Sequence, residues 1–211
     1  MIDKLLTLAT DSVAAAMTAG ADAAEAMIAD GFGRHVEIRD GNIENLEQAE
    51  GSEIGLRVFV GKSSAMISGS VLTKEAIARL IDTALNVARL APPDPFAGIA
   101  ETEYLATTFP DLDMISATLP DAADLQRMAR EAEEAGLSVP GVSKSGGAGA
   151  SASDRRIVLA TSNGFAHGYR RTGTGVSMSA IAGEGTAMER DYDYSSSTHF
   201  SDLRNAQDVS R

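Results

Sequence analysis

Ile54-Gly55-Leu56-Arg57-Val58-Phe59-Val60 decides the fold class. Ile54, Leu56, Val58 and Val60 alternate with other residues at a period of two, which places one row of side chains on a buried face of a strand. Gly61-Lys62 then predicts a turn into a further strand through Ala65, Ile67 and Gly69. Upstream, Val36 and Ile38 alternate likewise, and Asp40-Gly41 is a hairpin-turn pair leading into the more polar 42–47, expected to be a half-exposed strand. Residues 23–71 therefore read as an antiparallel meander of four strands.

Helices flank this meander. Ile2, Leu5, Leu6, Ala9, Val13, Ala16 and Met17 recur at helical spacing, with Gly20 placed to stop the helix. Thr73 is positioned to cap a second helix at 73–90, with Ile77, Leu80, Ile81, Ala84, Val87 and Ala88 as its apolar stripe. Pro92-Pro93 and Pro95 end it. Of the 6 prolines, all but one fall within 91–120, which predicts a long ordered connection.

Beyond the connection, Asp121 caps a third helix at 121–135, lined by Leu125, Met128, Ala129 and Ala132, with Gly136 as its expected stop. Strands return at Ile157-Val158-Leu159 and at Val176, Met178 and Ala180, joined by an expected type I′ turn at Asn163-Gly164. Asp191-Tyr192-Asp193-Tyr194 reads as an exposed strand or sheet edge, and a new helix is expected from Leu203 to Val209. The order predicts an α+β fold of antiparallel sheets with flanking helices. It divides into an α+β subdomain at 1–98, a linker at 99–120 and a second α+β segment at 121–211.

Composition narrows the function. The 211 residues are 44% hydrophobic but only 5% aromatic, with no Trp, so Ala, Val, Ile, Leu and Met must fill the core. A net charge of −12 disfavours nucleic acid and anionic membrane surfaces as partners. With 0 Cys there is no disulfide, thiolate nucleophile or Cys-based zinc site. The amino terminus lacks a signal-peptide pattern and no apolar run is long enough to span a bilayer, so a cytoplasmic location is expected.

No motif supplies a catalytic, metal-binding or cofactor-binding residue. His35, His167 and His199 are far apart and lack metal-ligand spacing. Ser145-Gly146-Gly147-Ala148-Gly149-Ala150 resembles a phosphate loop only in its glycines, and a twisted strand explains it better. Gly61-Lys62-Ser63 has Leu56 where a phosphate loop needs its first glycine. Glu133 and Glu134 point about 100° apart on a helix and read as a solvated face. Asp191 and Asp193 share a strand face that could meet a cation or a basic peptide, and they too read first as a solvated face. Tyr169, Arg170 and Arg171, taken with Arg190, have the composition of a protein interface or of an ordinary exposed strand.

Taken in order, several segments resemble the TldD/PmbA family, once described as modulators of DNA gyrase. They are the strand block 51–61 with its G-x-R-V-x-x-G pattern, the step from Ser70-Val71-Leu72-Thr73 into helix 73–90, and Asp94-Pro95-Phe96-Ala97-Gly98-Ile99. Thr161-Ser162-Asn163-Gly164-Phe165, Gly168-Tyr169, Met188-Glu189-Arg190-Asp191-Tyr192 with Tyr194, and Ser201-Asp202-Leu203 resemble the PmbA (TldE) side. The resemblance implies a zinc-type metallopeptidase assembly in which a TldD-type subunit supplies the metal-binding helix. This chain would be the N-terminal half of its partner, with the C-terminal half of the family fold missing. It also implies unfolded peptides as substrates, no cofactor in this chain and a possible homodimer. The alternative is a regulatory protein-binding module with no role in proteolysis.

Overall fold

The computed structural model describes residues 1–210. Its elements are α1 (Ile2–Thr18), β1 (Ala23–Arg39), β2 (Asn42–Val60), β3 (Ser63–Gly69), α2 (Lys74–Leu90), α3 (Ala122–Leu137), β4 (Val142–Thr161), β5 (Ala166–Ala182), β6 (Glu189–Ser197) and α4 (Ala206–Val209). The strands form a six-stranded antiparallel sheet in the order β3-β2-β1-β4-β5-β6. This is the α+β, helix-flanked antiparallel architecture that the sequence predicts.

The region 23–71 holds three strands, not four. The segments expected at 42–47 and 54–60 are one 19-residue strand, β2. Gly51 and Ser52 stay extended, and the Ser52 hydroxyl donates to Asp30 Oδ1 at 2.7 Å, so the backbone has no turn to make there. The Asp40-Gly41 turn has φ of 51° and 74°, the paired left-handed geometry of a two-residue type I′ hairpin. The Asn163-Gly164 turn differs from expectation, because only Gly164 has positive φ, 97°. The Gly164 N–H returns to the Thr161 carbonyl and the Thr161 N–H to the Phe165 carbonyl, a three-residue loop ending in a left-handed glycine.

Helix ends follow local chemistry. The Thr73 hydroxyl accepts from the Ala76 N–H, and Ala91, extended before Pro92, stops α2. Asp121 and Asp124 form a reciprocal capping box on α3. Gly136 does not stop α3, which runs on to Leu137. A Cβ at this glycine would lie 2.9 Å from Met178 Cε, so it serves close approach of helix and strand rather than termination. The helix expected from Leu203 begins later, at Ala206, where the Asn205 side chain accepts from Gln207 N–H.

The chain gathers into two compact units, each assembled from three stretches of sequence. The first comprises 1–31, 51–112 and 155–170, and the second 32–50, 113–154 and 171 onward. They cut across the chain differently from the segments 1–98 and 121–211, because β1, β2, β4 and β5 each contribute residues to both. In the first unit, Ile28, Ile54, Leu56 and Val58 pack with Ala9, Val13 and Ala16 of α1 and Ile77, Ile81 and Leu85 of α2. Residues 91–100 are fastened there by Ser63 Oγ to the Ala91 carbonyl (2.9 Å) and Asp94 N–H to the Lys62 carbonyl (2.8 Å).

In the second unit, Val36, Ile38, Ala148, Ala150, Ala152, Val176 and Met178 pack with Leu125, Met128, Ala129 and Ala132 of α3. The Gly-Ala alternation in β4 is thus a core pattern. Its alanines are buried with α3, while Gly149 leaves room for His35 Cε1 and Ser177 Oγ, which a Cβ would meet at 3.1 and 3.2 Å. An alanine-rich core permits close packing of helix on sheet, and most stabilisation then comes from many small buried groups.

Candidate functional site: the strand edges

The three histidines occupy separate environments. His35 lies beside Gly149, His167 stacks on the Phe109 ring with centroids 3.5 Å apart, and His199 Nε2 sits 2.6 Å from the Asp113 carbonyl oxygen. Among the described residues no group of three or more His, Asp or Glu could hold a metal ion. The described side chains therefore do not fit the metal site that a metallopeptidase family implies.

The glycine-containing strings serve the backbone. Gly61 has φ 60°, and its N–H donates to Asp22 Oδ2 at 2.6 Å in the β2–β3 turn. The basic cluster is not brought together. Arg190 pairs with Ile181 at one end of β5, whereas Arg171 lies near the other end, ten residues and roughly 33 Å away at strand rise. Tyr169 is 41% exposed.

Glu133 departs from the expected solvated face. It is only 2% exposed, and its two carboxylate oxygens accept the Asp40 and Gly41 N–H groups, both at 2.8 Å. Arg130 Nη1 donates to the Gly41 carbonyl at 2.7 Å. Helix α3 thereby holds the tip of the β1–β2 hairpin by both backbone polarities, while Glu134 is exposed. A signal for this lay in the spacing: Leu125, Ala129 and Glu133 step by four along one helix face, placing a carboxylate on the apolar stripe.

Strand edges are recognition elements of a different kind, because they offer backbone hydrogen bonds. β6 is one edge of the sheet, and its own side chains close it. Asp191 Oδ1 accepts the Tyr192 N–H (2.8 Å) and Asp193 Oδ1 the Tyr194 N–H (2.7 Å). Arg204 Nη2 donates to the Tyr194 carbonyl (2.6 Å) and to Asp193 Oδ2 (2.9 Å). The hydrogen bond from Arg204, with a second from the Tyr194 backbone, holds the Asp193 carboxyl below its ordinary range near 3.8.

On the far side, β3 pairs only with residues 54–60 of β2. Residues 42–50 extend beyond it with β1 as their sheet neighbour, and every one of them is exposed. No hydrogen bond among the described residues returns a side chain of 43–50 to that segment's own backbone. One edge of this strand is open.

Sequence comparison places these features in a family. The descriptions PmbA/TldA metallopeptidase domain 1 and PmbA/TldA metallopeptidase central domain match residues 24–88 and 116–211. Metalloprotease PmbA of Escherichia coli O157:H7 is 31% identical over 202 residues, 95% of this chain and 45% of that relative.

This chain belongs to the PmbA/TldD family.

A PmbA homolog of Haemophilus influenzae is 30% identical over 92% of the chain and 43% of its own length. The chain thus spans a little under half the length of these PmbA relatives. Two solved structures share the PmbA/TldD fold. A candidate modulator of DNA gyrase from Bacteroides thetaiotaomicron superposes with a TM-score of 0.89 at 24% identity, over 99% of this chain and 49% of that one. TldE of Thermococcus kodakarensis gives 0.76 at 12% identity, over 95% and 45%. Among the described residues no helix is long and apolar enough to cross a membrane.

Proposed function

We propose that this chain is part of a non-catalytic PmbA/TldE-type subunit that works with a TldD-type metallopeptidase on unfolded peptides. The observation that carries the reading is the 31% identity to metalloprotease PmbA across 95% of the chain. The open edge of β2 supports it, since a strand edge can hold an extended peptide by main-chain hydrogen bonds without demanding a particular sequence. In this reading the zinc-type metal resides in the partner, this half shapes the peptide path, and the complex works in the cytoplasm.

Peptidase assays with an unfolded substrate test the proposal. The chain alone is expected to be silent, and a mixture with the TldD-type subunit to cleave in a chelator-sensitive way. Because relatives are about twice as long, the full-length protein is assayed in parallel. Cleavage by the TldD-type subunit at the same rate with and without its full-length partner would overturn the reading in favour of a regulatory protein-binding module. Chelator-resistant cleavage by this chain alone would overturn it in favour of an independent hydrolase.

A further inference from the structure

The sheet has an edge closed by its own side chains and an edge left open, and the open one has a distinct charge. Residues 42–50, Asn42-Ile43-Glu44-Asn45-Leu46-Glu47-Gln48-Ala49-Glu50, form a stretch of roughly 30 Å at 3.4 Å per residue. No Lys or Arg occurs between Arg39 and Arg57. Glu44 is paired with Arg39 at 3.0 Å, while Glu47 and Glu50 have no ion-pair partner among the described residues. Successive side chains alternate between faces, so Glu47 lies on one face of the strand and Glu50 on the other. Ile43 and Leu46, 44% and 55% exposed, offer apolar contact between the carboxylates.

Natural edge strands that must stay unpaired carry lysines, prolines, bulges or covering segments. β6 has such a cover in Arg204 and the two aspartates. Residues 42–50 have no proline and no basic residue, and among the described residues no side chain covers their edge. The edge is also stiffened from below, because Glu133 and Arg130 hold its adjoining turn. A strand that is pre-ordered loses less entropy on accepting a partner.

We infer that the open edge of β2 at residues 42–50 binds an extended, basic segment of a polypeptide by strand addition. The inference rests on the reading of this protein as a handler of unfolded peptides, and it names the edge and the charge of what is held. Opposite-charge cross-strand pairs at Glu47 and Glu50 supply the preference, and the backbone ladder supplies sequence tolerance.

Hydrogen exchange of the 211-residue chain, read by mass spectrometry, tests it with two blocked synthetic decapeptides. One repeats lysine-lysine-valine-valine and the other glutamate-glutamate-valine-valine, so that charge falls on both faces of an added strand. The lysine peptide is expected to slow exchange across 42–50, and the glutamate peptide to leave it unchanged. The double variant Glu47→Lys/Glu50→Lys, on two exposed side chains, is expected to weaken lysine-peptide binding by roughly 3- to 30-fold.

Protection that appears on β6 instead, or equal binding of the two peptides, would overturn the inference. So would unchanged affinity in the double variant. Protection of 42–50 without peptide, accompanied by a dimer mass, would replace the peptide with a second copy of this chain. Failure of the peptidase assay with lysine-peptide protection intact would remove the subunit reading and leave the edge assignment standing.

Discussion

The outer half of β2 and the strand β6 are both exposed, polar and acidic, yet they present opposite surfaces. In β6 each aspartate turns back onto the chain, and Arg204 covers the Tyr194 carbonyl and the Asp193 carboxylate together. In β2 the glutamates leave the backbone uncovered. A glutamate is one methylene longer than an aspartate and reaches its neighbouring N–H less readily, which is why aspartate favours local side chain-to-backbone bonds. Two acidic strands can therefore be read as one closed edge and one open edge, and composition alone does not separate them.

The comparison can be broken most severely at the hairpin tip. Glu133→Ala strips the Asp40 and Gly41 N–H groups of their buried acceptor, and is expected to cost about 2 kcal/mol. Chemical denaturation measures that loss, and exchange at 40–50 should rise before global unfolding. If exchange there stays unchanged, the clamp from α3 does not order the open edge.

Next in size is the opening of β6. Arg204→Ala uncovers the Tyr194 carbonyl, so faster exchange is expected across 189–197 with little change in the core. An unaltered exchange pattern would mean that Arg204 does not close this edge. The double reversal at Glu47 and Glu50 should change stability by no more than about 0.5 kcal/mol, as surface substitutions usually do. A larger loss in thermal melts would show that these carboxylates support the fold rather than face a ligand.

The smallest expected effect is in acid. The Asp193 carboxyl is held below 3.8 by Arg204, so its contribution is present above the unfolded value and is lost as pH falls through the lower folded value. Asp124 behaves alike, held down first by its hydrogen bond from Arg127 and then by the Asp121 backbone. Carboxyl resonances followed by NMR should show both titrating below 3.8, and Arg204→Ala should raise Asp193 alone.

The sequence made the elements legible because periodicity is a local property. The alternation at Ile54, Leu56 and Val58 and the stripe at Leu125, Met128, Ala129 and Ala132 both mark buried faces. The ordered family segments likewise pointed to PmbA. The joining of 42–47 with 54–60 was not legible, since Gly51-Ser52 could turn or extend and a cross-strand bond to Asp30 decides it. Closure of β6 depends on Arg204, eleven residues from Asp193 and beyond the strand's end, returning to cover it. The helix spacing marks Glu133, but its partners were hidden for the same reason: Asp40 and Gly41 lie 93 and 92 positions upstream.

The contact between Gly136 and Met178 has a chemical consequence. Met178 is 3% exposed, whereas Met1, Met27 and Met66 are 75%, 44% and 62% exposed. Peroxide should convert those outer thioethers to sulfoxides first and reach Met178 only when α3 lifts from its strand. A sulfoxide oxygen has no room where even a Cβ at Gly136 would crowd the Met178 methyl group, so oxidation there should hinder α3 from reseating. The slow oxidation of Met178 would then serve as a clock for the opening of this helix, and with it for release of the hairpin tip.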